Sequence, residues 1–445
     1  MGVYEQNCVE RNYGAHAGAA GRVALLAERV AELESRLLAP RKRMKQLAEL
    51  VRAKGGAQDR VDAAGLGEEI RAVEEEKEAA EEEMAELALA LPNLTSPETP
   101  SREGGPRVKE YVNYDPVKDE GREWPQTADH ASIGKQLGLI DFASAAKTAG
   151  WGFYYLTAEA ALLEQALVQF ALSVATKWGW KAVSPPSLVY SHVADACGFR
   201  PRDGGDEQQI WQVRQLEREA GKPSRSLAAT AEIPLAGMFA GGELAAAELP
   251  RKLVGSSRCY RAEAGARGVD TRGLYRVHEF TKVEMVAWAD PGPGEPGDDG
   301  WTTGATAVWD EMVAIQKDIL RALDLPARVL EMPASDLGAS AWRKVDVEVL
   351  FPSRRRRRDG GWGEVTSASI CTDYQSRRLD TRVKGRDGKR RFVHTVNGTA
   401  MAVPRVLAAL LEHGWREEGG GAVHLPPCLG PWMGGVTRIG GRGTP

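Results

Sequence analysis

The chain reads as an α+β protein: an N-terminal antiparallel coiled-coil hairpin arm, then a larger domain built on an antiparallel β-sheet flanked by helices. Two observations carry this. Between residues 22 and 91 two heptad stripes are joined by a glycine turn. From about residue 140, short β-prone runs are separated by Gly- and Asp-containing turns, without regular intervening helices.

In the first stripe the apolar seam falls at Val23, Leu26, Val30, Leu33, Leu37, Met44, Leu47 and Val51, and Pro40 takes one seam position. The second runs through Leu66, Ile70, Val73, Lys77, Ala80, Met84, Leu87 and Leu91. Lys54-Gly55-Gly56-Ala57 lies between them, rich in helix-stopping glycine. Two stripes so joined hide from water only by facing each other. About 30 residues per helix makes an arm on the order of 45 Å long. Pro40 predicts a kink or a weak middle in the first helix. Residues 41–54 carry six basic side chains and one acid, while the second helix is strongly acidic. Two readings stand side by side: charge that supports helix pairing, or a basic face (Arg41, Lys42, Arg43, Lys45) that reaches a phosphate backbone.

The segment PNLTSPETPSREGGP ends the hairpin as a hinge. The expected organisation is an N-terminal segment 1–21, the arm 22–91, a linker and entry 92–139, and the body domain 140–445. Within the last, Ala158–Trp178 reads as a long amphipathic helix.

The 445 residues are 42% apolar, enough for a substantial core, and the net charge is only −4. Nucleic-acid contact must therefore come from local basic surface. No apolar run approaches the roughly 18 residues that span a bilayer. The opening MGVYEQNCVERNY has no hydrophobic core, which speaks against a secretory or transit peptide in the sequence as it stands. Cys8, Cys197, Cys259, Cys371 and Cys428 lie far apart with no CxxC pair, which predicts buried reduced thiols in an intracellular protein. No P-loop occurs, so an ATP user here would be of another type.

Between Cys259 and Trp288, Arg261, Glu263, Arg272, Arg276, His278, Glu279, Lys282 and Glu284 sit among strand formers. A solvated hairpin explains any one of them. As a set they suit a nucleotide: two arginines for a triphosphate and a carboxylate for the exocyclic amine of adenine. This hairpin, YRAEAG…DTRGLYRVHEFTKVE, resembles motif 2 of the class II aminoacyl-tRNA synthetases, in its seryl form. Asn397–Glu412 resembles motif 3, with Arg405 near the join of strand and helix, and Gly152–Pro186 resembles motif 1, which forms dimers. LPNL (Leu91–Leu94), TAEIPL (Thr230–Leu235), DVEVLFP (Asp346–Pro352), EVTSASICTDYQSRR (Glu364–Arg378) and PPCLGPWMGG (Pro426–Gly435) follow the seryl pattern in collinear order.

The resemblance implies an ATP-dependent serine–tRNA ligase, homodimeric, using Mg²⁺, with L-serine, ATP and tRNA(Ser) as partners and no membrane. It places Arg261 on the α-phosphate and the serine carboxylate, Glu263 on adenine, and Phe280 stacked on the ring. Val277, His278 and Glu279 fall in the same ATP-binding stretch. Arg276 and Arg405 would hold the outer phosphates, and Glu364 and Ser367 the Mg²⁺. Thr230, Ala231 and Glu232 would lie near the serine amino group, with Asn397 also in the serine site, and Glu284 and Thr399 would lie nearest the hydroxyl. The arm would grip the long variable arm of tRNA(Ser).

Two features depart from the family pattern: Pro404 stands where a glycine is common, and the arm is less regular, with Pro40 and the glycines around Leu66. Arg200–Val213 looks most like fungal mitochondrial members, which points to the mitochondrial matrix, with the cytoplasm as alternative. The run Arg354–Arg358 reads as a solvated loop in preference to a tRNA contact. Three rivals are a silent paralogue, a class II ligase for another substrate and a coiled-coil interaction protein. The retained charged residues, the Thr-Ala-Glu and Lys-Val-Glu elements with the arm, and the catalytic body weigh against them in turn.

Overall fold

A computed structural model of the chain describes every residue except 1, 55, 120–127, 200–208, 263–272, 293–299, 357–358, 386–387 and 442–445. Glu263 and Arg272, and most of Arg200–Val213, therefore lie outside the described residues. The chain divides into two compact units, one ending at Leu94 and the other beginning at Thr95.

The first unit contains a short helix α1 (Gly2–Glu10) and two long helices, α2 (Ala19–Lys54) and α3 (Ala57–Ala90). Their seam is the one the heptads mark. Leu26, Leu33, Leu37 and Ala80 are buried, and the other seam positions, Pro40 and Lys77 included, are half-buried between exposed neighbours. The helices also pair through charge. Arg22 reaches Glu83 at 2.8 Å, Arg41 meets Glu74 and Glu34 at 2.9 Å each, and Arg29 pairs with Glu76. These exposed pairs set register more than stability. α2 runs through Pro40 without a break in its helical assignment. The proline occupies a half-buried seam position.

In the second unit, among the described residues, an eight-stranded sheet is built from β1 (Arg107–Val112), β2 (Lys181–Val183), β3 (Arg251–Tyr260), β4 (Glu279–Ala289), β5 (Ala327–Glu331), β6 (Arg343–Leu350), β7 (Trp362–Thr372) and β8 (His394–Ala402). The order is β1-β5-β6-β7-β8-β4-β3-β2, antiparallel throughout except where β2 joins β3 in parallel. The predicted antiparallel sheet is present.

Helices cover one face. α4 (Glu159–Lys177), the predicted amphipathic helix, buries Leu163, Ala166, Leu167, Phe170 and Ala171 at helical spacing. α5 (Thr303–Ala322) crosses the sheet centre, where the Trp309 indole N–H donates to the Ala368 carbonyl at 3.1 Å. Gln316 donates to the Ser367 and Thr399 carbonyls at 2.8 and 2.9 Å. Gly398 permits this approach, since a Cβ there would sit 3.2 Å from the Met312 sulfur. α6 (Val403–Gly414) follows β8 directly, with Pro404 in its first turn, where a missing N–H costs nothing. The departure at Pro404 is thus compatible with a regular helix start.

On the other face, two register shifts help to bring polar side chains together. Glu364 pairs with Glu348 and Thr366 with Val347, so Val365 is an extra residue in β7. Strand side chains alternate, and one inserted residue restores Glu364 and Ser367 to the same face. On β8 the same happens at Ala400, between Thr399 opposite Glu284 and Met401 opposite Val283.

Candidate active site

One sheet face collects side chains from five neighbouring strands. β3 supplies Ser257 and Cys259, β4 supplies Phe280, Lys282 and Glu284, β8 supplies Asn397 and Thr399, β7 supplies Glu364 and Ser367, and β6 supplies Lys344 and Asp346. Arg261 continues from β3, its backbone N–H donating to the His278 carbonyl at 2.8 Å. Its guanidinium lies over the Phe280 ring, 5.2 Å from the centre.

At the centre is a buried polar cluster. Lys282 Nζ lies 2.5 Å from Glu284 Oε2, and the Thr399 hydroxyl donates to the same oxygen at 2.9 Å while accepting from Lys282 at 3.3 Å. Beside it, Gln375 Nε2 donates to Glu232 Oε1 at 2.6 Å, and Asn397 Nδ2 donates to that oxygen as well. Burial, and then the nearby Glu284 carboxylate, pushes the Glu232 carboxyl up to about 7, against the pull of Lys282 and the two amides. Thr230 is buried with Ala231, and its hydroxyl accepts from the Glu232 backbone N–H at 3.2 Å, so it also shapes the turn into helix Glu232–Ala236.

Toward β6 the face turns cationic. Arg405 Nη1 donates to both the carbonyl and Oε2 of Glu364, each at 3.0 Å. Burial raises the Glu364 carboxyl, but the charges of Arg405, Lys344 and Arg261 overcome it and hold it well below the usual carboxylate range. Burial is the largest single influence on it, and the cations and the Arg405 hydrogen bond outweigh it only together. Arg276 is part-exposed in the return segment before β4.

The structure gathers Thr230, Glu232, Arg261, Phe280, Glu284, Glu364, Ser367, Asn397, Thr399 and Arg405 on or beside this face. It sets others apart. Val277 is buried against Cys259 and Phe280. Glu279 lies on the opposite face, 3.0 Å from Arg258. The His278 Nδ1–H donates to the Arg261 carbonyl of its own hairpin, 2.9 Å away, and the ring stands against Gly152, where a Cβ would clash. Lys282 and Gln375 were not singled out from sequence as members of the buried cluster. Period-2 alternation with Glu284 marks Lys282, whereas nothing in the spacing marks Gln375. Arg354 corrects the reading of its run as solvated: it is buried and paired with Asp359 at 2.7 Å, because it stacks on Tyr275. All five cysteines are free, four of them buried and Cys428 half-buried.

A pair of oxygen donors, Glu364 held ionised and Ser367 on the same face, suits Mg²⁺, which keeps few protein ligands and takes the rest from phosphate and water. Among the described residues no cluster of three or more His, Cys, Asp or Glu side chains forms a protein-only metal cage.

Residues 215–414 match the family described as tRNA synthetase class II core domain (G, H, P, S and T). The chain is 42% identical to the mitochondrial serine--tRNA ligase of Saccharomyces cerevisiae over 80% of its own length and 73% of that protein. It is 39% identical to the serine--tRNA ligase of Rubrobacter xylanophilus over 97% of its length and 95% of that protein. Its fold matches the crystal structure of seryl-tRNA synthetase from Pyrococcus horikoshii complexed with ATP, with a TM-score of 0.82 and 28% identity, covering 98% of this chain and 97% of that one. With arm, sheet and motifs in the same order over nearly its whole length, the chain belongs to the seryl-tRNA synthetase family of class II ligases.

Proposed function

We propose that the polar sheet face is where this ligase joins L-serine to ATP, giving seryl-adenylate and pyrophosphate, before the seryl group passes to the 3′ end of tRNA(Ser). The observation that carries the assignment is the buried cluster of Glu232, Glu284, Asn397 and Thr399 next to Arg261 on one face. It offers a carboxylate for an ammonium, a second carboxylate for a hydroxyl and a cation for a carboxylate. Serine has those three groups on one carbon skeleton.

In this reading the serine carboxylate attacks the α-phosphorus. An oxygen–phosphorus bond forms as the bond to the β-phosphate oxygen breaks, and pyrophosphate leaves. The nucleophile is already ionised, so no general base is needed. Arg261 offsets charge on the α-phosphate, Arg276 and Arg405 hold the leaving phosphates, and Phe280 stacks on adenine. Glu263 is proposed for the adenine amine. Glu364 and Ser367 would hold a Mg²⁺, whose charge would offset that of the phosphates. Serine-dependent exchange of pyrophosphate into ATP tests the assignment. Serine should drive it and alanine and glycine should not, and equal exchange with alanine would overturn it.

Serine binding should depend on pH. An ammonium beside Glu232 favours the ionised carboxylate, whereas the free protein keeps its proton up to about 7. Binding below that pH therefore releases a proton, and serine affinity should fall by about tenfold per unit as pH drops. Isothermal titration in buffers of different ionisation enthalpy would detect the released proton, and a pH-independent Kd between pH 5.5 and 8 would contradict the role of Glu232.

We further propose that the arm meets tRNA through its basic run. Arg41 is engaged by Glu34 and Glu74. Lys42, Arg43 and Lys45 are exposed, and among the described residues no carboxylate pairs with them. Glutamine at all four positions should flatten the log–log salt dependence of tRNA binding by roughly one unit per lost phosphate contact, about three units in all, with adenylate formation unchanged. An unchanged slope would leave the run as a helix-pairing and solvated face.

A homodimer is supported by exposed Trp151, Tyr155 and Leu162 in and beside the motif 1 stretch. Residence in the mitochondrial matrix is supported by the mitochondrial relatives of S. cerevisiae and Schizosaccharomyces pombe, with the cytoplasm as alternative given the similarity to bacterial relatives. Cell fractionation separates the two.

A further inference from the structure

The arginine run that begins at Arg354 is left without a role by the residues that would touch substrate. Arg354 closes the turn Pro352–Arg354 after β6 and is 7% exposed. Asp359 grips its Nη2 at 2.7 Å, and the other Asp359 oxygen accepts from the Gly361 N–H at 2.9 Å. So anchored, its guanidinium lies over the Tyr275 ring, 4.8 Å from the centre, and Phe351 meets that ring edge-on at 5.7 Å. Tyr275 also carries Arg405. The Arg405 guanidinium lies 4.6 Å from the same ring centre, and its Nε donates to the Tyr275 carbonyl at 3.2 Å. The Tyr275 hydroxyl donates at 3.2 Å to the Glu364 carbonyl that also accepts from Arg405 Nη1. Two cations at one ring repel, and each has its own carboxylate, Asp359 at one end and Glu364 at the other.

A second, independent set of bonds holds the flanking backbone in the same register. His130 Nε2 accepts from the Leu274 N–H at 3.1 Å, so Nδ1 carries the proton it shares with Glu412 Oε1 at 2.9 Å. Glu412 Oε2 accepts from the Ser353 N–H at 3.2 Å. The residues next to Tyr275 and next to Arg354 are thereby tied to one buried carboxylate.

We propose that Arg354 is a positioning residue for Arg405, acting through the Tyr275 ring so that the phosphate-binding guanidinium is fixed before ATP arrives. An arginine loses rotamer freedom when it grips a phosphate, and fixing it beforehand strengthens that grip. The proposal rests on Arg405 holding the outer phosphates. In serine-dependent pyrophosphate exchange, Arg354→Gln should raise the KM for ATP by about tenfold, with the KM for serine and kcat close to those of the unmodified protein. A merely structural role would instead lower kcat and the melting temperature and leave the ATP KM in place. If Arg354→Gln does not fold, Arg354→Met keeps the long apolar stem and should show the same ATP-specific rise. An unchanged ATP KM in a folded Arg354 variant, with Arg405→Gln raising it, would overturn the positioning role. An unchanged ATP KM in Arg405→Gln would instead overturn the phosphate assignment on which it stands.

Discussion

Arg261→Ala should slow seryl-adenylate formation by at least about a hundredfold, the usual scale for one preorganised charge-stabilising donor. The position argues for a large effect. Arg261 leaves β3 at the edge of the buried cluster, its backbone is locked to His278, and its guanidinium lies over Phe280. In the proposed role it is aimed before substrate binds, so its charge would act on the transition state without reorganisation. The loss should appear in single-turnover activation at saturating serine and ATP, with melting little changed, because the backbone bond to His278 survives the substitution. Normal single-turnover activation would show that the chemistry lies elsewhere on the face.

Glu284→Ala should remove most activity and, with it, the distinction between serine and alanine. A site that hydrogen-bonds a substrate hydroxyl rejects an analogue lacking it by about 10⁴-fold or more, because its buried acceptor is left unpaired. Without the carboxylate that penalty disappears, and the preference for serine over alanine should disappear with it. The substitution also strands Lys282, 6% exposed and bound to Glu284 at 2.5 Å. Breaking a buried pair from one side costs about 3–5 kcal/mol of stability. Exchange rates for serine and alanine should therefore be compared in the same preparation, with thermal melting as control. Retained rejection of alanine in a folded variant would remove Glu284 from hydroxyl recognition.

The arm was legible because heptads report a face directly: seam positions from Val23 to Leu91 are the buried or half-buried ones. Most of the site was legible through motifs, which mark residues without saying how they meet. The extra residues at Val365 and Ala400, which turn Glu364 toward Ser367 and set the register of Thr399 against Glu284, leave no trace in hydrophobic alternation, since valine and alanine fit either face. Gln375 reaches Glu232 from a short helix 143 positions later in the chain, a contact that local pattern does not encode. Arg354 misled for a related reason. Arginine runs are usually solvated, and burial here depends on a tyrosine brought in from another segment of the sheet domain.

The central claim is that this chain places serine, and no other amino acid, on tRNA. Incubating the protein with ATP, Mg²⁺, total tRNA and an equimolar mixture of the twenty amino acids, and identifying the esterified amino acid by mass spectrometry, tests it in one measurement. Serine on the long-variable-arm serine tRNAs alone is the predicted result. Another amino acid on any tRNA, or no ester despite a folded protein, would contradict it.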